Sequence, residues 1–218
     1  MTLKLFYMSI SPPSRAVLLT LRNLNINVDV KEINLLKGEH LTEEFLKLNP
    51  VHQVPVLADD DFTLSESRAI MTYLVNSRQP GCSLYPRDPK RQAIIDQRLY
   101  YDATVVFERN AVAIRPAYAY SVDPVPKDIK DKIKQSMTTL NTFLENSSWF
   151  AGSDVTLADL SILANVSQIK ACGYNISNHS NLLKWFNKCK DLPGFEENQK
   201  AADDVGKFFK SQIPNGLE

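Results

Sequence analysis

The chain has 218 residues, 44% of them hydrophobic and 23% charged, which suits a soluble fold of one or two domains with a sizeable core. Basic and acidic side chains balance at 25 each, and no long basic run occurs; this argues against a nucleic-acid surface or a polybasic membrane attachment. Cys82, Cys172 and Cys189 lie far apart without a CxxC, so they outline no disulfide framework and point to a reducing compartment.

The N-terminus reads as an immediate strand rather than a signal peptide. The apolar run Ala16 to Leu19 is far too short to span a bilayer, so no membrane association and a cytoplasmic location are expected. Leu3, Leu5 and Tyr7 alternate with Lys4 and Phe6, a strand over 3–7 with a buried face. Ser11-Pro12-Pro13-Ser14 opens a helix, because a proline near a helix N-terminus loses no hydrogen bond. Val17, Leu18, Leu21 and Leu24 give its apolar face, and Asn25 closes it. Val28 to Val30, extending towards Ile33, reads as a second strand, which makes a strand–helix–strand unit with a parallel pair. A loop over 36–40 and a short helix over 42–48 follow, ended by Asn49-Pro50.

Residues 49–70 are the centre of the first unit. Val54 to Ala58 is a short apolar run with Pro55 at its second position. Asp59-Asp60-Asp61 is a turn, and Phe62 to Leu64 a second strand. Ser65 then stands as N-cap of a helix over about 66–77, with Glu66 in the first turn. Proline cannot donate to a ladder and belongs at an edge or a strand start. The local pattern favours an ordinary trans peptide at Pro55; a cis one would turn the chain sharply and leave the Val54 peptide groups free to pair with an extended, peptide-like ligand. Ser65 to Ser67 has two readings of its own. It can be simple capping, or it can grip an amino-acid head group, with the carboxylate on helix amides and a hydroxyl and the ammonium on Glu66.

Pro and Gly cluster in Gln79–Pro89 and mark a linker. The period then turns helical and stays so. Ile94, Ile95, Leu99 and Ala103 begin a long helix to about Ile114, with Pro116 ending or kinking it. Ile129, Ile133, Met137, Leu140 and Leu144 form the stripe of the next. Thr156-Leu157-Ala158-Asp159 is a capping box with Asp in place of Glu or Gln, ahead of a helix to about Ala171 that is apolar over a wide arc. Helices over 182–190 and 196–210 complete an all-helical second domain, and 213–218 reads as a loose tail. The expected division is 1–80, a linker at 81–88, and 89–218.

Three histidines occur: His40, His52 and His179. The first two lie in loops flanking the Pro55 strand, where histidines serve function more often than in a core. No metal-ligand spacing is present. The turn after the first strand contains two prolines and no glycine, which argues against a nucleotide-binding loop. Ser11 lies in the strand-to-helix turn, a usual place for a site; Ser9 and Ser14 compete with it on local grounds. No GxSxG or nearby histidine base supports a serine hydrolase.

Five stretches together carry a resemblance: Ser-Pro-Pro-Ser-Arg-Ala-Val (11–17), Lys-Gly-Glu-His-Leu (37–41), Leu-Asn-Pro-Val-His-Gln-Val-Pro-Val-Leu (48–57), Ser-Glu-Ser-Arg-Ala-Ile (65–70) and Asp-Val-Thr-Leu-Ala-Asp (154–159). In this order and at these spacings the chain resembles the cytosolic glutathione transferases, most closely the insect delta/epsilon group. The resemblance implies a thioredoxin-like α/β N-terminal domain, an all-α C-terminal domain, a homodimer, and glutathione as co-substrate with no permanently bound cofactor. It implies that Ser11 donates to the glutathione sulfur and favours the thiolate, the nucleophilic form. His40, His52 and Gln53 would hold the glycyl end, the Val54 backbone and a cis Pro55 the cysteinyl part, and Glu66, Ser67 and Arg68 the γ-glutamyl head, with Asp102 ordering that end. Thr156 and Asp159 match the family's structural cap. Phe107, Asn110, Arg115, Tyr118 and Tyr120 are candidates for the lining of the electrophile pocket, with packing between helices as the other reading of Phe107, Arg115, Tyr118 and Tyr120; Asn110 and Arg115 stand where aromatic residues are common, which makes the pocket more polar. The implied activity is conjugation of glutathione to hydrophobic electrophiles such as aromatic halides and conjugated carbonyls, with dehydrochlorination or hydroperoxide reduction as extensions of the same thiolate chemistry. The alternative is a non-catalytic binder or carrier of hydrophobic compounds on the same fold.

Overall fold

The structure, a computed structural model, describes residues 3–119, 123–213 and 215–217. Its first part is a four-stranded sheet in the order β2-β1-β3-β4, formed by β1 (Leu3–Tyr7), β2 (Asp29–Glu32), β3 (Val56–Asp59) and β4 (Phe62–Ser65). The β1–β2 pair is parallel, and β1–β3 and β3–β4 are antiparallel. Alternation sorts the side chains onto two faces. Leu5 and Leu57 pack with α1 (Pro12–Asn23) and α3 (Ser67–Arg78), while Phe6 and Val56 pack with Phe45 of α2 (Glu43–Leu48). The Phe6 and Phe45 rings meet edge to face, with centroids 6.2 Å apart.

Three local expectations change. Pro55 precedes β3 instead of sitting inside it, since it has no amide to donate to the ladder. Ser65 is the last residue of β4; Glu66 takes the cap position of α3 with φ +69°, and Ser67 starts the helix. The turn that brings the chain from sheet to helix therefore falls on Glu66, in a backbone region that side chains rarely adopt.

The second part holds α4 (Pro89–Tyr101), α5 (Glu108–Tyr118), α6 (Lys127–Phe143), α7 (Leu157–Ala171), α8 (Ser180–Cys189) and α9 (Phe195–Gln212). Asp88 caps α4 by accepting from the Arg91 amide at 2.9 Å. A π-helical turn over Asp102–Phe107 joins α4 to α5, and the sequence pattern gave no sign of it. Pro116 does not end α5. It is tolerated in the final turn while Ala113, Ile114 and Ala117 stay in the core. α7 is buried along nearly its whole length, in keeping with its wide apolar arc, and is the central helix. α9 approaches it so closely that a Cβ on Gly206 would fall 2.4 Å from the Ala171 carbonyl oxygen.

The capping box forms at the start of α7. The Asp159 carboxylate is fully buried and accepts from the Thr156 amide, the Thr156 hydroxyl, the Phe150 amide and the Trp185 indole, each at 2.9 Å. Burial raises its pKa to about 6 against the pull of these four donors. The described residues of the expected loose tail are docked. Ile213 and Leu217 are buried, and the Leu217 amide donates to the Cys172 carbonyl at 3.1 Å. Two apolar side chains find a place in the core, in a segment whose terminal position suggested a loose tail.

Candidate functional site at one end of the sheet

Strand register gathers the site. Phe6 pairs with Val56, Val56 with Ser65, and Tyr7 with Glu32. The segments after β1, β2 and β4 and the one before β3 therefore leave the sheet at the same end. They carry Ser11, His40, Glu66 and Pro55 respectively.

Ser11 is the N-cap of α1, half-buried, and its Oγ accepts from the Ser14 amide at 3.4 Å. Its competitors have other surroundings. Ser9 is bound through amide and hydroxyl to Glu32 Oε1 at 3.0 and 3.1 Å, and Ser14 is fully buried. Beneath this turn lies Arg15, only 1% exposed. It donates to the Ser9 carbonyl, the Ala164 carbonyl, Gln168 Oε1 and Asn198 Oδ1 at 2.8–3.0 Å. Desolvation lowers its pKa to about 10, so it remains a buried cation at neutral pH. It ties the Ser9–Ser11 turn to α7 and α9.

The segment before β3 is shaped by Asn49, which is 2% exposed. Its Nδ2 donates to the Gln53 carbonyl at 2.9 Å, its Oδ1 accepts from the Val51 amide at 3.1 Å, and its carbonyl accepts from the His52 amide at 2.9 Å. His52 has φ +49°, and Val54–Pro55 is cis, as the resemblance implied and the local pattern did not. Val54 stands outside the ladder, so the sheet does not use its peptide groups. His52 and Gln53 are exposed; the His40 and His52 ring centroids are 6.1 Å apart, and His40 Nδ1 is buried without a partner. The sequence pattern marks Asn49 only as the end of a helix. The Asn-Pro that follows a short helix and precedes a second proline was the signal for its role.

Ser67 opens α3 and is buried, while Glu66 beside it is exposed. Arg68 donates to Ser67 Oγ at 3.0 Å and forms an ion pair with Asp102 at the start of the π-helical turn. Asp102 is fully buried and also accepts from Ser161 Oγ at 2.6 Å and Asn165 Nδ2 at 2.9 Å. Neither α7 donor stands out in the local sequence pattern. Ser161, Asn165 and Gln168 lie at helical spacing within a run that otherwise looks apolar, and that polar stripe was the available sign.

The expected pocket residues separate. Phe107 is half-buried, with the Arg68 guanidinium carbon 5.9 Å and the Arg115 guanidinium carbon 5.6 Å from its ring centroid. Tyr118 stacks on Phe208 of α9 at 4.6 Å, and burial raises its pKa to about 12. Asn110 is 1% exposed and donates to the Asn165 carbonyl at 3.4 Å, so it packs between helices instead of lining an open surface. Its amide nitrogen is turned towards the backbone of α7. Tyr120 lies outside the described residues. Among the described residues no cluster of His, Cys, Asp and Glu could hold a metal ion, and no helix is long and apolar enough to cross a membrane.

Comparison with known proteins places this architecture. Residues 1–76 match the glutathione S-transferase N-terminal domain, and residues 116–212 the glutathione S-transferase C-terminal domain. A delta-class glutathione transferase of Nilaparvata lugens is 40% identical, with a TM-score of 0.92 over 97% of this chain and 100% of that one. An epsilon-class glutathione S-transferase of the housefly, Musca domestica, is 37% identical, with a TM-score of 0.92 over 97% and 98%. A glutathione transferase homologue of Drosophila mojavensis, solved with bound glutathione, is 32% identical, with a TM-score of 0.90 over 97% and 98%. The chain belongs to the glutathione S-transferase family. It is a glutathione transferase, an enzyme with glutathione as its co-substrate and with relatives in both the delta and the epsilon class.

Proposed function

We propose that this enzyme activates the glutathione thiol through Ser11 and transfers the sulfur to hydrophobic electrophiles in the cleft beside Phe107. The observation that supports the reading is the common exit of four segments at one end of the sheet, segments that carry Ser11, the Val54–Pro55 turn and the start of α3. A free thiol has a pKa of about 8.5 and is mostly protonated at pH 7, whereas the thiolate is the nucleophile. The Ser11 hydroxyl donates to the sulfur and stabilises that anion; the serine itself forms no covalent bond. The Val54 backbone pairs with the cysteinyl residue of glutathione. His40, His52 and Gln53 take the glycyl carboxylate. Ser67 and the free amides at the start of α3 receive the γ-glutamyl carboxylate, Glu66 its ammonium, and the Arg68–Asp102 pair holds that end in place. Confining thiolate and electrophile in one cleft supplies proximity and orientation.

Aromatic halides and conjugated carbonyls are the expected electrophiles, with elimination and hydroperoxide reduction open to the same sulfur. A detoxifying role, a homodimer, a cytoplasmic location and a division at 81–88 belong to the same proposal. The test is steady-state conjugation of 1-chloro-2,4-dinitrobenzene by wild type and Ser11→Ala, with glutathione affinity measured in parallel. Loss of a hydrogen bond to a charged sulfur should lower kcat/KM by roughly 10- to 100-fold while glutathione still binds. Unchanged turnover in Ser11→Ala would remove Ser11 from the sulfur. Tight glutathione binding by wild type without turnover of any electrophile would favour the carrier reading.

A further inference from the structure

Two arginines flank the Phe107 ring, and their charges have different fates. Arg68, 5.9 Å from the ring centroid, is ion-paired with the buried Asp102 carboxylate and also donates to Ser67. Its charge is neutralised within the protein. Arg115, 5.6 Å from the same centroid, is exposed on α5 and has no carboxylate or hydrogen-bond partner among the described residues. Its guanidinium lies over the Phe107 ring. A guanidinium held over an aromatic face keeps its in-plane N–H donors free, and these match the two oxygens of a carboxylate. An aromatic surface thus lies next to an uncompensated, bidentate cation.

We propose that Arg115 selects electrophiles that carry a carboxylate, so that the substrate class of this enzyme includes anionic aromatic or conjugated electrophiles and not only neutral ones. This rests on the reading that the electrophile lies beside Phe107. The apolar ring of such a substrate packs on Phe107, and its carboxylate meets Arg115. The charged group then serves orientation as well as affinity, because two parallel hydrogen bonds fix the plane of the substrate relative to the sulfur. The conjugation step itself is unchanged. The thiolate sulfur bonds to the halogen-bearing ring carbon, the carbon–halogen bond breaks, and halide leaves with the bonding pair; the thiol proton has already gone to solvent.

The test uses a pair of substrates alike in shape and leaving group, 4-chloro-3-nitrobenzoate and 4-chloro-3-nitrobenzamide. kcat/KM is measured for both at saturating glutathione with wild type, Arg115→Met and Arg115→Glu. The quantity read is the ratio of benzoate to benzamide within each protein, corrected by the ratio of their uncatalysed rates with glutathione. Wild type should favour the benzoate. The ratio should fall by on the order of tenfold in Arg115→Met, as expected for one charge pair near a protein surface, and further in Arg115→Glu. Added salt should erode the wild-type preference and leave the Arg115→Met ratio nearly flat.

A wild-type ratio equal to that of Arg115→Met would overturn the proposal while leaving the transferase reading intact. A variant that raises the KM for glutathione without moving the ratio would also overturn it, by giving Arg115 to glutathione. Failure of wild type to turn over either compound, together with 1-chloro-2,4-dinitrobenzene, would instead strike the proposed function on which the inference rests. Circular dichroism of the variants guards against a folding defect, and the within-protein ratio is insensitive to the fraction of active enzyme.

Discussion

The second half of the molecule contains two fully buried carboxylates that do opposite work. Asp159 sits at the base of α7 and is surrounded by neutral donors: two backbone amides, a hydroxyl and an indole. All come from the helical part of the chain, and three from within ten residues of it. Asp102 sits where the two halves of the molecule meet. Two of its donors come from α7, and the third is a guanidinium carried by α3 of the first half. Dipoles alone leave the carboxylate a net charge in the interior, which is why burial raises the pKa of Asp159. A cationic partner removes that cost but makes the carboxylate depend on another part of the fold. A group solvated by its own neighbours supports folding. A group solvated across a junction couples the junction to whatever uses it, here the Ser67–Arg68 end of the proposed glutathione site.

The comparison can be broken most directly at Asp159. In Asp159→Ala two amides and an indole N–H lose their acceptor in a dry interior, at about 1–3 kcal/mol each. Urea unfolding should show a loss of about 4 kcal/mol or failure to accumulate folded protein. In any folded fraction the KM for glutathione should stay close to wild type; a changed KM with unchanged stability would reverse the assignment of roles.

Arg68→Met probes the other carboxylate. It leaves Asp102 buried with two neutral donors, and loss of one member of a buried pair costs about 3 kcal/mol. Here the KM for glutathione should rise severalfold in the same preparation. Arg68→Lys should restore part of the stability but less of the affinity, since an ammonium lacks the fork that reaches Ser67 and Asp102 together. Equal glutathione affinity in wild type and Arg68→Met would separate the pair from the site.

The smallest effect is on pH dependence. The folded-state pKa of Asp159, about 6, lies above its ordinary value of 3.8, so the fold favours the protonated acid. The associated stability is full below about pH 4 and is lost as pH rises through about 6. Asp159→Asn has no such titration. Its deficit relative to wild type should therefore shrink by about 2 kcal/mol between pH 4 and pH 7. A deficit that grows over that interval would mean that the four donors outweigh burial.

These carboxylates also mark how far sequence reading reached. The box at Thr156 and Asp159 was legible because its defining contacts span three residues, and capping chemistry depends on local spacing. The helix and strand runs were legible for the same reason, with errors at Ser65 and Pro55, where one residue decides a boundary. Ser11, His52, Pro55, Glu66 and Ser67 could be named from five short stretches, but their convergence could not. Asn49, Ser161 and Asn165 were missed because their partners are set by a turn or by a helix remote in the chain. Asn110 was expected on the pocket wall and lies inside because Asn165 faces it from α7.

Composition, period and short motifs determined by themselves that this protein is an α/β unit followed by helices, and they pointed to the transferase family, since hydrophobic period and turn chemistry act over a few residues. Only the tertiary structure decided which polar groups meet. It paired Arg68 with Asp102, buried Arg15 beneath the Ser11 turn, buried Ile213 and Leu217, and left Arg115 beside Phe107 without an ion-pair partner among the described residues. Desolvation and pairing depend on what packing brings within a few ångströms, and that distance is not written in the order of residues.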